Sequence, residues 1–216
     1  MKDYKEKLQG VYLVLDPSVP EEILIEKLEY ALIGGVSIVQ IWDKWPKHFK
    51  KISKINLIQR LHKITEPYSV PLLINNEWEL LESESLDGVH FDIIPLDFDE
   101  IKARFNRKLI YGITCNNDLT NIAWAERNKL DYISFCAMFP SSSVDTCEIV
   151  NPDTILKARK MTQIPLFLSG GITPDNFHSL KTFNFQGVAV ISGILSAEST
   201  EESVKKYYEE FNKIIQ

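Results

Sequence analysis

The sequence predicts an α/β fold of a single domain, with β and α elements alternating and closed as a (β/α)₈ barrel, and three observations predict it. Short apolar runs recur along the whole chain with longer amphipathic stretches between them, the pattern of repeated β-then-α units. The runs are nearly continuous in apolar residues rather than alternating, so both faces of each strand are buried, as in a parallel sheet. Eight such units fit within 216 residues, and eight is the number that closes a barrel. Periodicity does not show closure, so an open doubly wound sheet is the alternative at this point. No composition break or linker divides residues 1–216, and one domain is expected.

The elements follow in order. GVYLVL at 10–15 is the first strand, and a helix over 20–33 follows it. There Ile23, Leu24, Lys27, Leu28, Ala31 and Leu32 share a face, Pro20 with Glu21 and Glu22 opens the helix, and Gly34-Gly35 ends it. SIVQI at 37–41 precedes a helix over 46–64, and PLLI at 71–74 precedes a short helix over 77–84. DGVHF at 87–91 leads to a helix over 97–105, and KLIYGI at 108–113 to one over 118–129. DYISF at 131–135 is followed by a long loop and a helix near 152–161. PLFLS at 165–169 precedes a helix over 174–181, and GVAVI at 187–191 precedes the closing helix over 200–215.

Composition narrows the function classes. With 44% hydrophobic and 25% charged residues the chain can build an ordinary core. The net charge of −6 and a pI near 5.3 argue against a nucleic-acid binder that relies on a broad basic surface. They also require that any bound phosphate be held by local dipoles. The first ten residues are polar and charged, unlike a secretory signal, and no run approaches the roughly 18 apolar residues of a membrane span. Cys115, Cys136 and Cys147 have no CxxC spacing, which favours reduced thiols, and the histidines form no HExxH or HxH pattern. A cytoplasmic protein with no membrane or nucleic-acid partner is expected, of unknown oligomeric state.

In a barrel of this class the chemistry collects at the C-terminal ends of the strands. Ser169-Gly170-Gly171-Ile172-Thr173 runs from the seventh strand toward the expected helix at 174. Paired glycines let backbone approach an anion closely. Ile191, Ser192 and Gly193 at the neighbouring strand end add a hydroxyl and another bare amide, and together these residues fit a phosphate site. Elsewhere the readings stay paired. Gln40 with Lys44 offers an amide and a cation, or a solvated loop lysine beside Trp42 and Trp45. Asn75-Asn76 is a hydrogen-bonding pair for a heterocycle, or a turn. Asp92 and Asp97 are magnesium carboxylates, or solvated loop acids. His90 is a hydrogen-bonded structural residue or a base, 141–143 is an anion loop or a linker, and Cys136 is read as an inert buried thiol.

These strand ends, in this order, resemble thiamine phosphate synthase and its relative, the TenI-type thiazole tautomerase. The resemblance covers VYLVLDP, ALIGGVSIVQIWDK, PLLINN, DGVHF, YGIT, DYISFCAMFPSSS, LSGGITPDN and GVAVISGI, from Gly10 to Ser196. It implies a (β/α)₈ TIM barrel and a transferase that joins hydroxymethylpyrimidine diphosphate to thiazole phosphate, giving thiamine phosphate and diphosphate with the help of Mg²⁺. Its partners are then the phosphorylated pyrimidine and thiazole. It implies catalytic roles for Gln40, Lys44, Asn75 and Ser143, phosphate binding for Gly170, Gly171, Ile191, Ser192 and Gly193, and substrate contacts for Asn76, Thr114 and Ser141.

The departures cluster in the diphosphate half. The family's QLREK is Gln40-Ile41-Trp42-Asp43-Lys44 here, so its arginine has become Trp42. Its asparagine–aspartate pair is Asn75-Asn76, and in its GVHLGQxD segment the metal aspartate aligns with Pro95, leaving Asp92 as the carboxylate nearby. Its TxTK loop is Ser141-Ser142-Ser143-Val144, without the lysine. Two other readings therefore stand beside the synthase: a TenI-like tautomerase, although Thr114-Cys115-Asn116 lacks that group's histidine, and a non-catalytic protein that binds a phosphorylated ligand.

Overall fold

The computed structural model describes residues 4–141 and 148–215. The eight strands are β1 (Gly10–Leu15), β2 (Ile38–Ile41), β3 (Leu72–Asn75), β4 (Gly88–Phe91), β5 (Ile110–Cys115), β6 (Tyr132–Cys136), β7 (Leu166–Ser169) and β8 (Gly187–Val190). All neighbours are parallel, and β1 pairs on one side with β2 and on the other with β8, Leu13 lying opposite both Val39 and Val190. The sheet is a closed barrel in sequence order, which settles the choice against an open doubly wound sheet.

Outside the barrel lie α1 (Glu21–Gly34), α2 (Lys51–Thr65), α3 (Phe98–Arg104), α4 (Thr120–Asn128), α5 (Pro152–Met161), α6 (Ser192–Leu195) and α7 (Thr200–Ile215). Four expectations about helices need correction. The helix placed over 46–64 begins at Lys51, because the preceding segment is held in turns by Trp45 N–H to Asp43 O and Phe49 N–H to Pro46 O, with the two rings stacked at 6.0 Å. The helix over 77–84 is a 3₁₀ segment, Trp78–Glu82. The one over 174–181 is a 3₁₀ turn, Phe177–Leu180, because Asn176 bonds by side chain to Thr173 N–H and to Gly171 O, and such local bonds compete with a helical ladder. Within α1, Ile23 points to solvent at 46% exposure, while Leu24, Leu28, Ala31 and Leu32 are buried as expected.

Strand alternation divides the apolar residues into two cores. Val11, Leu13, Leu15, Val39, Ile41, Ile74, Val89, Ile113 and their equivalents face the helices. Tyr12, Val14, Ile38, Leu73, Ile110, Tyr132 and Phe167 fill the barrel itself. Tyr12, Tyr132 and Phe167 meet edge to face with centroids 5.5 to 5.9 Å apart, a favourable arrangement of ring quadrupoles. At the N-terminal mouth, Leu8 packs into the barrel and Tyr4 OH donates to Asp87. The chain ends are joined by α7, whose Tyr208 hydroxyl donates to Gly35 O and accepts from Val11 N–H.

Candidate active site

A cavity of about 740 Å³ opens at the C-terminal ends of the strands, within the size range of small-molecule sites. Its walls come from all eight strands or the loops that follow them, which is where the fold leaves polar side chains facing inward above the apolar barrel filling.

One wall is bare backbone. Gly170 and Gly171 have φ of +86° and +65°, a region that L side chains rarely adopt. They are also crowded: a Cβ on Gly170 would stand 2.6 Å from Ala137 Cβ, and one on Gly171 2.5 Å from Pro140 O. Beside them, after the adjacent strand β8, Ile191 caps the four-residue helix α6, whose first residues Ser192 and Gly193 line the cavity. The sequence reading placed a helix start after Gly171; the structure instead puts the short helix after β8.

The floor is a buried polar chain. Tyr12 OH donates to Gln40 Oε1 and lies 2.9 Å from Tyr132 OH. Tyr132 OH is 2.9 Å from His90 Nδ1, His90 Nε2 is 2.8 Å from Thr114 Oγ1, and Ser134 Oγ is 3.4 Å from Thr114 Oγ1. Burial dominates the protonation of these groups. It raises both tyrosines well above the ordinary phenol value, and it lowers His90 to about 4 against a smaller opposing pull from Asp92. The ring is therefore neutral at pH 7. Since its folded-state value is depressed below the roughly 6.5 of a free imidazole, the stability it supports is complete above that pH. It is lost as pH falls through the window from about 6.5 to about 4. Over that window the wild type should lose on the order of 3 kcal/mol more stability than His90→Gln, read as urea midpoints at pH 7 and pH 4. Equal losses in the two proteins would contradict a neutral buried ring.

At the rim, Asn76 Nδ2 donates to Asp43 Oδ2 at 2.7 Å and Asp92 Oδ2 at 2.8 Å, while its Oδ1 accepts from Asp92 N–H. Asn75 Nδ2 reaches Asp92 Oδ1 at 3.2 Å and His90 O at 3.3 Å. Two carboxylates thus converge on amide hydrogens of Asn75 and Asn76. Among the described residues no group of three His, Cys, Asp or Glu side chains could hold a metal ion. As arranged, Asp43 and Asp92 are hydrogen-bonded to the Asn76 amide rather than to a shared cation, and any Mg²⁺ would have these two carboxylates as its nearest protein ligands. Lys44, the one Lys or Arg among the described residues lining the cavity, lies with Nζ 3.9 Å from the Trp42 ring centroid.

Of the residues singled out in the sequence, Gln40, Lys44, Asn75, Asp92, Thr114, Ser141, Gly170, Gly171, Ile191, Ser192 and Gly193 line this one cavity. Asn76 does not; it is turned toward Asp43 and Asp92. Ser143 lies outside the described residues, as does Val144. Cys136, read as a buried thiol, is only partly buried and lines the cavity. It is Cys115 that is fully enclosed, and burial pushes its thiol up to about 12. Sequence reasoning missed Tyr12, Tyr132 and Ser134. The available signal was a tyrosine at an inward position of a buried strand, within the otherwise aliphatic β1 for Tyr12 and at the start of β6 for Tyr132.

Among the described residues no helix is long and apolar enough to cross a membrane. The profile of the family described as thiamine monophosphate synthase matches residues 11–194, which takes in every wall of the cavity. The thiamine-phosphate synthase of Methanobrevibacter smithii is 29% identical over 202 residues, covering 94% of this chain and 95% of that protein. The thiamine-phosphate synthase of Picrophilus torridus is 31% identical over 209 residues, covering 97% and 100%. In three dimensions, thiamine phosphate pyrophosphorylase from Pyrococcus furiosus superposes with a TM-score of 0.82 at 20% identity, covering 99% of this chain and all of that one. Matched by the family profile over residues 11–194 and 31% identical to a relative across 97% of its own length, this chain belongs to the thiamine monophosphate synthase family.

Proposed function

We propose that the protein is a transferase of the thiamine-phosphate-synthase type, joining hydroxymethylpyrimidine diphosphate to thiazole phosphate. The observation that carries the reading is the meeting of Gly170-Gly171 and 191–193 in one cavity with Gln40, Lys44 and Thr114. The two backbone loops take the phosphate monoester of the thiazole, and the polar floor takes the pyrimidine. In the reaction the C–O bond between the pyrimidine methylene and the diphosphate breaks, the oxygen leaving with the electron pair. The thiazole nitrogen then donates its pair to the methylene carbon. Holding the two rings in line is the protein's main contribution, since well-oriented partners recover a large part of such a barrier.

Lys44 faces the leaving diphosphate, and no step is assigned to a metal. A rim whose two carboxylates are held by a neutral amide, with Trp42 where the family has an arginine, favours a slow enzyme, because each missing stabiliser of developing charge costs on the order of 10²–10³ in rate. The same rim supports a second reading, a protein that binds the phosphorylated thiazole without turning it over.

Purified protein incubated with both substrates and Mg²⁺ is expected to form thiamine phosphate above the uncatalysed rate; its absence, with thiazole phosphate still bound, selects the binding reading. Asn76→Asp tests the rim. Replacing the amide between Asp43 and Asp92 with a third carboxylate should create measurable Mg²⁺ affinity by calorimetry and raise synthase activity about tenfold or more. No gain in either would show that the amide is not what limits the site.

A further inference from the structure

The hydrogen bonds of the floor form one continuous chain through Gln40, Tyr12, Tyr132, His90 and Thr114. A phenol has one proton to give, and a neutral imidazole has one N–H and one bare nitrogen. The direction of the chain is therefore a single choice, and Gln40 makes it. Tyr12 donates to Gln40 Oε1, so the Tyr12 oxygen accepts from Tyr132. Tyr132 has then given its proton and must accept from His90 Nδ1–H. That leaves Nε2 bare, and Thr114 donates to it. Thr114 Oγ1 has only lone pairs left, with Ser134 Oγ as a long neighbour at 3.4 Å. Gln40 has used its carbonyl, and its amide NH₂ remains. Both end residues line the cavity.

We propose that Tyr12, Tyr132 and His90 are positioning residues that fix the hydrogen-bond polarity of the cavity floor, donor at Gln40 and acceptor at Thr114. Reversal requires the Gln40 amide, both hydroxyls and the histidine tautomer to change together, so the floor holds its polarity as a unit. Naming the ligand rests on the transferase reading. A 4-aminopyrimidine suits this floor, since its exocyclic amine donates and its adjacent ring nitrogen accepts. Its 4-oxo counterpart carries the opposite pair, a carbonyl oxygen and a ring N–H, and meets donor with donor and acceptor with acceptor. Unpaired polar groups in a buried site discriminate strongly, which is how such a floor would exclude the oxo ring.

Two measurements test this. The ¹⁵N spectrum of the ligand-free protein, labelled at histidine, should show His90 with Nδ1 protonated and Nε2 bare. Calorimetry should find 4-amino-5-hydroxymethyl-2-methylpyrimidine bound ~30-fold or more tighter than its 4-oxo counterpart. Tyr132→Phe keeps the ring and cuts the chain, so Gln40 and Thr114 no longer share one direction. The preference should fall to within about fivefold, while binding of thiazole phosphate stays as in the wild type. An Nε2–H tautomer overturns the assigned polarity. Equal binding of the two pyrimidines by the wild type, or the full preference surviving in Tyr132→Phe, overturns the positioning role. Failure of both pyrimidines to bind, beside an Nδ1–H tautomer, upholds the polarity and overturns the transferase reading instead.

Discussion

Replacing Ser192 with aspartate is expected to weaken binding of thiazole phosphate by on the order of 10²-fold while leaving the protein folded. Ser192 is exposed, lines the cavity and opens α6, so a longer side chain there costs less than it would at a buried position. An acidic residue in the first turn of a helix is, if anything, stabilising. Toward a bound phosphate the same charge is repulsive. At roughly 5 Å and an effective dielectric constant of about 20, one pair of like charges costs about 3 kcal/mol. The separation of the two effects is what makes the variant informative: affinity falls while the thermal midpoint is unchanged or rises. Calorimetric titration with thiazole phosphate beside a melting curve measures both, and unchanged affinity would move the phosphate elsewhere in the cavity. Gly170→Asp is the weaker probe. Its Cβ would stand 2.6 Å from Ala137 Cβ at a φ of +86°, so loss of binding there would mix strain with charge.

The second large effect belongs to the barrel interior. Gly112→Ala should destabilise the protein by on the order of 3 kcal/mol, read as a shift in the denaturation midpoint. A methyl group at that position would stand 2.1 Å from Tyr132 Cζ. Tyr132 has no room to yield, because Tyr12 and Phe167 pack against its ring and its hydroxyl is bonded to Tyr12 and His90. The glycine is required by its neighbour's size rather than by backbone conformation. Consequently Gly112→Ala combined with Tyr132→Leu should recover part of the lost stability, although it removes the polar chain. A midpoint unaffected by Gly112→Ala alone would contradict this packing account.

Much of the architecture was legible because it is written in local period. Each strand is a short, almost wholly apolar run, and the strands fall within a residue or two of where those runs lie. The glycine pair at 170–171 was legible as a backbone feature, and both residues do take the positive φ that side chains rarely adopt. Local period failed where side chains overrode it. Asn176 ties Thr173 and Gly171 together and prevents the helix that 174–181 suggests. At four residues α6 is too short to show any helical period, although it supplies part of the candidate phosphate wall.

By itself, the sequence determined that this chain is a β-then-α repeat, that its eight strands are buried on both faces, and that bare backbone waits at the ends of β7 and β8. Only the tertiary structure decided that the sheet closes, and which inward side chains then meet. Tyr12 and Tyr132 are 120 residues apart in the chain, and His90 is 42 from Tyr132. Asp43, Asn76 and Asp92 come from three different loops. The physical reason is that inward or outward orientation follows from each strand's own alternation. The partner across the barrel is set by the register of all eight pairings at once.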